Sequence, residues 1–165
     1  MSNCDEDPTV YNGHFEVHVL IKRAVREIWP QYLDKSSWVT THDVEQVYGK
    51  PGTVGSITRV SFKRAAEVGL PRPHFHYCKI IKLEQEKESL IKTYSADGGS
   101  YGMRLTGFDH MRFSAVGANT RATFSIFLEA RSEAIAKDPA AFNLDGSRVG
   151  MLGNLNNLKR ILESN

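Results

Sequence analysis

The apolar residues of this chain alternate with polar ones through most of its length and change to a helical period near the C-terminus. The segment TRATFSIFLEA, residues 120–130, alternates apolar and polar side chains as a half-buried strand does. Asp138 and Pro139 form a good helix start, and after them apolar residues recur at spacings of three, four and seven. A run of strands followed by one long helix predicts an antiparallel α+β domain in which the helix covers one face of the sheet.

The two-residue period of strands and the helical period also predict where the remaining elements lie. HFEVHVLIK, residues 14–22, predicts the first strand, which follows a flexible N-terminal tail at residues 1–13. A short helix is expected to run to about Asp34, bent or broken at Pro30 because proline lacks a backbone N–H, and KSSWV predicts a second helical turn. Six further strands are predicted, at residues 42–50, 55–63, 74–84, 89–95, 103–116 and 120–130. Residues 14–165 are therefore expected to form a single domain.

The composition limits the partners that such a domain is expected to have. A chain of 165 residues can remove roughly 70% of its unfolded surface from water, which is enough for a core with a cavity in it. The formal charge is only +2, from 21 basic and 19 acidic residues spread along the chain. Such a balance gives no strong field, so nucleic acid is not an expected partner. No cofactor is predicted, and the oligomeric state is left open.

The sequence also favours a cytoplasmic protein. No apolar run reaches the roughly 18 residues of a membrane-spanning helix, and the first residues lack the basic and apolar regions of a secretion signal. The two cysteines, Cys4 and Cys78, lie far apart and do not suggest a disulfide framework. We therefore expect a reducing compartment and no stable membrane insertion.

Three motifs resemble those of the START-like superfamily, also called SRPBCC, which includes polyketide cyclase/dehydrase proteins and relatives of the birch-pollen allergen. They are VLIKRAVREIWPQYLDKSSW at residues 19–38, GKPGTVGSITRV at 49–60 and MLGNLNNLKRILE at 151–163. One departure is Pro30, which lies inside the first helix, whereas family members commonly carry a proline before that helix's aromatic residue. The resemblance implies a helix-grip fold, in which a curved seven-stranded antiparallel sheet wraps around the long C-terminal helix and leaves an apolar cavity.

The segment HFHYCKIIKLE, residues 74–84, does not alternate regularly. Lys79 and Lys82 cannot share a face of a regular strand, and neither can Ile80 and Ile81. A β-bulge at Ile80–Ile81 resolves both conflicts, because one extra residue reverses the facing of everything on one side of it. With Lys79 in solvent, the residues that turn inward are His74, His76, Cys78 and Ile80.

The pattern His-x-His-x-Cys in this strand does not predict a metal site. The Cβ atoms of three residues at alternate positions spread over roughly 13 Å, whereas zinc holds its ligands at about 2.3 Å or less. At most two of the three could bind one ion, and His110 is the only obvious histidine to complete a site. Histidines that line a cavity or its rim are the better interpretation.

The remaining polar candidates lie on the later strands and the glycine-rich loop. The candidate ligand-binding residues are His74, His76, Cys78, Tyr94, Tyr101, Arg104, His110, Phe124 and Leu152. A mostly apolar pocket with a few polar groups is the usual form of a small-molecule site. The alternative, that the arginines lie on the outer face of the sheet and the tyrosines fill the core, stays open.

The leading hypothesis is therefore the binding of a small, largely hydrophobic molecule, such as an aromatic, polyketide-like or lipid ligand, in an internal cavity. A first alternative is an enzyme of the polyketide cyclase/aromatase type, in which His76, Tyr94 and Arg104 act on a carbonyl substrate by acid/base catalysis. Others are a lipid or quinone carrier and a partner-binding domain whose cavity is collapsed. The sequence leaves these possibilities open.

Overall fold

The structure is a computed structural model that describes residues 7–63, 75–95 and 104–164. Its strands are β1 (Val10–Ile21), β2 (His42–Tyr48), β3 (Ile57–Phe62), β4 (Phe75–Glu84), β5 (Glu88–Tyr94), β6 (Arg104–Val116) and β7 (Asn119–Arg131). Its helices are α1 (Val25–Leu33), α2 (Lys35–Trp38), α3 (Glu133–Lys137) and α4 (Asp145–Glu163), with a short 3-10 turn at Pro139–Ala141. The predicted order of a strand, two short helices, six strands and one long helix is confirmed, with α3 and the 3-10 turn as additions before the long helix.

The seven strands form one antiparallel sheet in the order β1-β7-β6-β5-β4-β3-β2. Successive strands from β2 to β7 are neighbours, but β1 pairs with β7, so that Val10 lies opposite Arg131. Strands β1 and β2 consequently form the two edges of the sheet. The connection between them, which contains α1 and α2, has to cross from one edge to the other.

One face of the sheet, which we call the inner face, is covered by α4. Helix α4 packs on β1 and contacts α1 and α2. Leu155 and Leu158 of α4 are fully buried against inner-face residues that include Val17 and Phe124. This core contains apolar residues at alternate positions of β1, β6 and β7, which is why those strands show the two-residue period in the sequence. The opposite face of the sheet is the outer face.

The structure corrects the predicted starts of β1 and α4 and adds α3. Strand β1 begins at Val10 rather than at residue 14, and α3, at Glu133–Lys137, was not predicted. The long helix begins at Asp145 rather than near Asp138, because Asp138 and Pro139 start only a short turn. The effective start signal is Asn143, whose side-chain oxygen accepts a hydrogen bond of 3.0 Å from the backbone N–H of Asp145. Helix α1 continues through Pro30 to Leu33, so the chain is not broken there.

Candidate functional site

Strand β4 contains the bulge that the sequence predicts. Its pairing with β5 shifts between Ile80 and Lys82, which leaves Ile81 as the extra residue. Lys79 is exposed, Ile81 is 38% exposed, and Cys78 is only 5% exposed. Cys78 and Ile80 therefore face inward together, as the bulge requires.

A cavity of about 400 Å³ lies between the junction of α1 with α2 and the inner face of β2 to β5. We call it the α1–α2 cavity. Its described lining residues are Pro30, Leu33, Asp34, Lys35, Ser36, Val44, Gln46, Pro51, Gly52, Ser56, Thr58, Cys78, Ile80 and Ile91. Its volume lies in the range of small-molecule sites, and its walls combine apolar side chains with a few polar groups.

The helical side of this cavity is positioned by Trp38. The indole Nε1 of Trp38 donates a hydrogen bond of 3.0 Å to the backbone oxygen of Tyr32, which ties α2 to α1. Trp38 is 2% exposed and its ring lies 6.0 Å from that of Tyr32. The tie fixes the short turn between the helices, from which Leu33 and Lys35 reach the cavity.

A buried carboxyl group, that of Asp109 on β6, lies on the inner face of the sheet beside the cavity. Asp109 pairs across the strands with Ile91, which lines the cavity. The hydroxyl of Thr93 donates a hydrogen bond of 3.2 Å to Oδ2 of Asp109, while Oδ1 is buried and has no hydrogen-bond partner among the described residues. Loss of solvation raises the pKa of Asp109 to about 6, although the positive charge of Lys35 and the bond from Thr93 oppose the shift.

Two further buried groups adjoin this carboxyl group. The Sγ atom of Cys78 lies 3.7 Å from the hydroxyl of Thr93, and burial raises the pKa of Cys78 to about 11. Its sulfur is therefore a thiol at neutral pH, which argues against a nucleophilic role. The hydroxyl of Tyr32 bonds to that of Ser89, and burial raises the pKa of Tyr32 as well.

Lys35 acts on all three of these buried groups. Its positive charge lowers the pKa values of Tyr32, Cys78 and Asp109, in each case against the larger effect of burial. The residue is half-buried and lines the α1–α2 cavity. Its ammonium group has no ion pair or hydrogen bond with any residue in the described part of the chain.

Of the histidines and cysteine predicted on β4, Cys78 lines the cavity and His76 lies on the same side of the strand. His76 is half-buried, and its ring contacts that of His42 on β2 at 6.0 Å between centroids. It is not among the described lining residues of the α1–α2 cavity. His74 and Tyr101 lie outside the described residues.

Three predicted site residues do not face the cavity. The inward positions of β5 and β6 include the buried residues Thr93 and Met111, so Tyr94, Arg104 and His110 occupy the alternate, outer positions. Tyr94 stacks on Tyr77 at 5.7 Å, His110 bonds through Nε2 to the carboxylate of Glu88 at 2.7 Å, and Arg104 is exposed. The strand register therefore turns these three away from the cavity, which corrects their prediction as ligand-binding residues, and it separates His76 from both Tyr94 and Arg104.

The two apolar candidates also lie away from the α1–α2 cavity. Phe124 is 5% exposed and belongs to the core beneath α4, where its ring lies 5.9 Å from that of Phe15. Leu152 lies on α4 and is 38% exposed. Neither is among the described lining residues.

Sequence reasoning missed Lys35 and Asp109. For Asp109 a signal was present, because it stands at an inward position between Gly107 and Met111, where strand alternation predicts an apolar residue. For Lys35 there was none, since a four-residue helix is too short to show which side faces inward.

The described ranges contain neither a metal-binding cluster nor a membrane-spanning helix. No group of three or more His, Cys, Asp or Glu residues within 7–63, 75–95 and 104–164 is arranged to hold a metal ion. No helix in those ranges combines the length and the apolar character needed to cross a bilayer.

Several solved structures share this architecture over nearly the whole chain. Ara h 8.0201 aligns with a TM-score of 0.65 at 10% identity, covering 94% of this chain and 100% of that protein. The major latex-like protein 151 of Panax ginseng aligns at 0.63 and 14%, covering 91% and 97%. Norcoclaurine synthase from Thalictrum flavum aligns at 0.64 and 12%, covering 100% and 94%.

These likenesses confirm the helix-grip fold that the sequence motifs predict. At identities of 10% to 14% they establish the fold alone. No protein-family model matches the sequence, and no curated protein matches it.

Proposed function

From a helix-grip fold with an open space beside its first helices, we propose that this protein binds a small, largely apolar molecule in the α1–α2 cavity. The observation that carries the proposal is the cavity itself, about 400 Å³ in volume and walled by Leu33, Val44, Ile80 and Ile91 among others. Drug-sized ligands occupy cavities of about 300–1,000 Å³ lined mainly by apolar side chains. Burying the apolar surface of such a ligand supplies the free energy of binding.

A protein of the same fold offers a precedent for small-molecule binding. Norcoclaurine synthase from Thalictrum flavum, 12% identical to this chain with a TM-score of 0.62, is described in complex with dopamine and hydroxybenzaldehyde. The precedent supports a small molecule as the occupant of this fold and leaves the chemical identity of the ligand to experiment.

Neighbouring isoleucines on β4 give a matched test. Ile80 lines the cavity, whereas Ile81 is the exposed bulge residue. An Ile80→Trp variant should fill part of the cavity and weaken the binding of N-phenylnaphthylamine, a neutral apolar fluorophore, by about tenfold or more. Ile81→Trp should bind the fluorophore as the wild type does. Titrations that show equal affinity for both variants and the wild type would reject the α1–α2 cavity as the binding site.

An enzyme remains a second proposal, on a different residue from those predicted. His76, Tyr94 and Arg104 do not converge, but the buried carboxyl group of Asp109 has a pKa raised to about 6, which suits a general acid or base near neutral pH. A carrier, including a lipid or quinone carrier, returns its ligand unchanged, whereas a cyclase or dehydratase alters it. Liquid chromatography with mass spectrometry of ligand extracted before and after incubation with the protein distinguishes the two, because dehydration removes the mass of one water and cyclisation alone changes the retention time at constant mass. An unchanged mass rejects dehydration, and an unchanged retention time also rejects cyclisation.

The single-domain organisation and a cytoplasmic location also belong to this proposal. Cys78 is a free and buried thiol. Such a residue is compatible with a reducing compartment. Immunofluorescence of the tagged protein against cytoplasmic markers tests the location.

A further inference from the structure

We infer that the ligand of the α1–α2 cavity carries one anionic group, and that Lys35 is the residue that binds it. The inference rests on the proposed function, since it assigns a chemical class to the molecule bound there. The class is an apolar body with a single carboxylate, sulfonate or comparable acidic group.

The first argument is the position of Lys35. An unconstrained lysine side chain directs its ammonium group into water. The charge of Lys35 instead acts on Tyr32, Cys78 and Asp109 inside the domain. The side chain is half-buried and lines the cavity. Its charge is therefore within electrostatic reach of Cys78, which lines the same cavity.

The second argument is that this cation has no partner within the described ranges. Among the described residues, none forms an ion pair or a hydrogen bond with the ammonium group. The charged residues that line the described part of the cavity are Lys35 and Asp34. Asp34 is exposed, and its Oδ1 accepts a hydrogen bond of 2.6 Å from the hydroxyl of Ser36. A partly desolvated cation is stabilised when a ligand supplies the opposite charge.

The third argument concerns the groups that face Lys35 from the surrounding elements. Tyr32 of α1 and Cys78 of β4 are uncharged at neutral pH because burial raises their pKa values. Among the described residues that its charge reaches, Asp109 of β6, bonded to Thr93 of β5, is the one group that changes charge near neutral pH, and its pKa is raised to about 6. When Asp109 is protonated, nothing among these groups offsets the charge of Lys35. Anion binding should therefore strengthen as pH falls through about 6, and binding should be accompanied by proton uptake at Asp109.

Two fluorophores with the same apolar body separate the charge from the cavity. Anilinonaphthalene sulfonate is anionic, and N-phenylnaphthylamine is neutral. Lys35→Met keeps most of the length of the side chain and removes its charge, Lys35→Arg keeps a cation, and Lys79→Met removes an exposed lysine outside the cavity lining. Titrating all four proteins with both probes gives the affinity that depends on the charge of Lys35.

We expect Lys35→Met to bind the sulfonate about tenfold more weakly, with a much smaller change in its affinity for the neutral probe. Lys35→Arg should retain most of the sulfonate affinity, and Lys79→Met should retain all of it. In the wild type the sulfonate should bind more tightly at about pH 5 than at about pH 8, and Asp109→Asn should remove most of that difference.

Other outcomes overturn the inference. Equal losses in Lys35→Met and Lys79→Met would show a general charge effect, and equal losses of both probes in Lys35→Met would show a packing effect. Sulfonate binding that survives Ile80→Trp would place the anion outside the cavity. Binding of the neutral probe tests the proposed function by itself. If both probes bind but Lys35→Met affects them equally, the proposed function stands and the inference about Lys35 fails. If neither probe binds, the proposed function and the inference both fail.

Discussion

The carboxyl group of Asp109 is held in an environment that opposes its ionisation. Its Oδ1 atom is buried without a hydrogen-bond partner in the described structure, and its only hydrogen bond there is from Thr93 to Oδ2. Natural proteins rarely keep a buried acceptor unsatisfied unless the group has a role, because the desolvation has no compensation. Asp109 is therefore the residue at which we expect stability and function to conflict.

This conflict predicts an unusual dependence of stability on pH. The pKa of Asp109 is raised from 3.8 to about 6, so between these values the folded protein keeps a proton that the unfolded chain has lost. Its contribution to stability is greatest below the lower value and is lost as pH rises through the higher one, by about 3 kcal/mol in total. Asp109→Asn should remove this dependence, and its stability relative to the wild type should rise by a similar amount between about pH 4 and about pH 8.

Urea denaturation at several pH values measures this difference. Asp138→Asn, which changes an exposed carboxylate, serves as the control and should leave the profile of the wild type unaltered. A parallel pair of profiles for the wild type and Asp109→Asn would show that Asp109 is not the titrating group.

The sequence identifies candidate residues only where strand alternation reveals their facing. It places Cys78 and Ile80 inward because Lys79 and Lys82 can both face solvent only if the strand contains a bulge between them, and that assignment is confirmed. Tyr94 and Arg104 were assigned to the cavity because of their chemical type, although alternation with buried neighbours puts them on the outer face. Chemical type gives no information about facing, which is why these expectations failed.

At the scale of elements, the bulge in β4 decides which side chains reach the cavity. Ile81 is the extra residue, and on its two sides the strand keeps Ile80 inward and Lys82 in solvent. The bulge was predictable because the charged and apolar residues of β4 cannot all face the appropriate side of a regular strand. The start of α4 was not predictable. Asp138 and Asn143 are both start signals, and local helix propensity does not decide between them.

Deleting Ile81 should be far more damaging than replacing it. Without the extra residue, one side of β4 must present its charged face to the core, because a shift of one residue reverses the facing of a strand. We expect a loss of several kcal/mol, comparable with the whole stability of a domain of this size. Ile81→Thr, which keeps the residue count, should change stability by only about 0.5 kcal/mol. Circular dichroism during urea denaturation compares the two, and similar stabilities would contradict the role of the bulge.

The junction of α1 with α2 is a second element with a testable function. Trp38→Phe removes the indole N–H that bonds to the backbone of Tyr32 and should cost about 1 to 2 kcal/mol. Trp38→Ala also removes a buried ring and should cost about 3 to 5 kcal/mol. If the tie positions the cavity wall, N-phenylnaphthylamine should bind more weakly to Trp38→Phe even under conditions where the variant is fully folded. Unchanged affinity would show that the bond is needed for stability alone.

At the scale of the whole molecule, the sequence is most informative about architecture. Strand number, antiparallel arrangement and the final helix follow from two periodicities, and motifs from residues 19 to 163 indicate the helix-grip fold. The pairing of β1 with β7 cannot be read from the sequence of either strand, because the alternation in each sequence shows only which face of that strand is buried. The position of the cavity depends on that pairing, since it makes α1 and α2 cross the inner face.

The same pairing has a consequence for the synthesis of the protein. Strand β1 leaves the ribosome ahead of β2 to β7, yet β7, the strand that completes its hydrogen bonds, is the last of these and ends at Arg131. Until β7 has been synthesised, Phe15, Val17 and Val19 of β1 stay exposed, although they are buried in the folded domain. Contacts between such distant segments close slowly, and an unpaired apolar strand is open to aggregation while it waits. The nascent chain is therefore most in need of chaperone protection during the interval between the emergence of its first strand and that of its last.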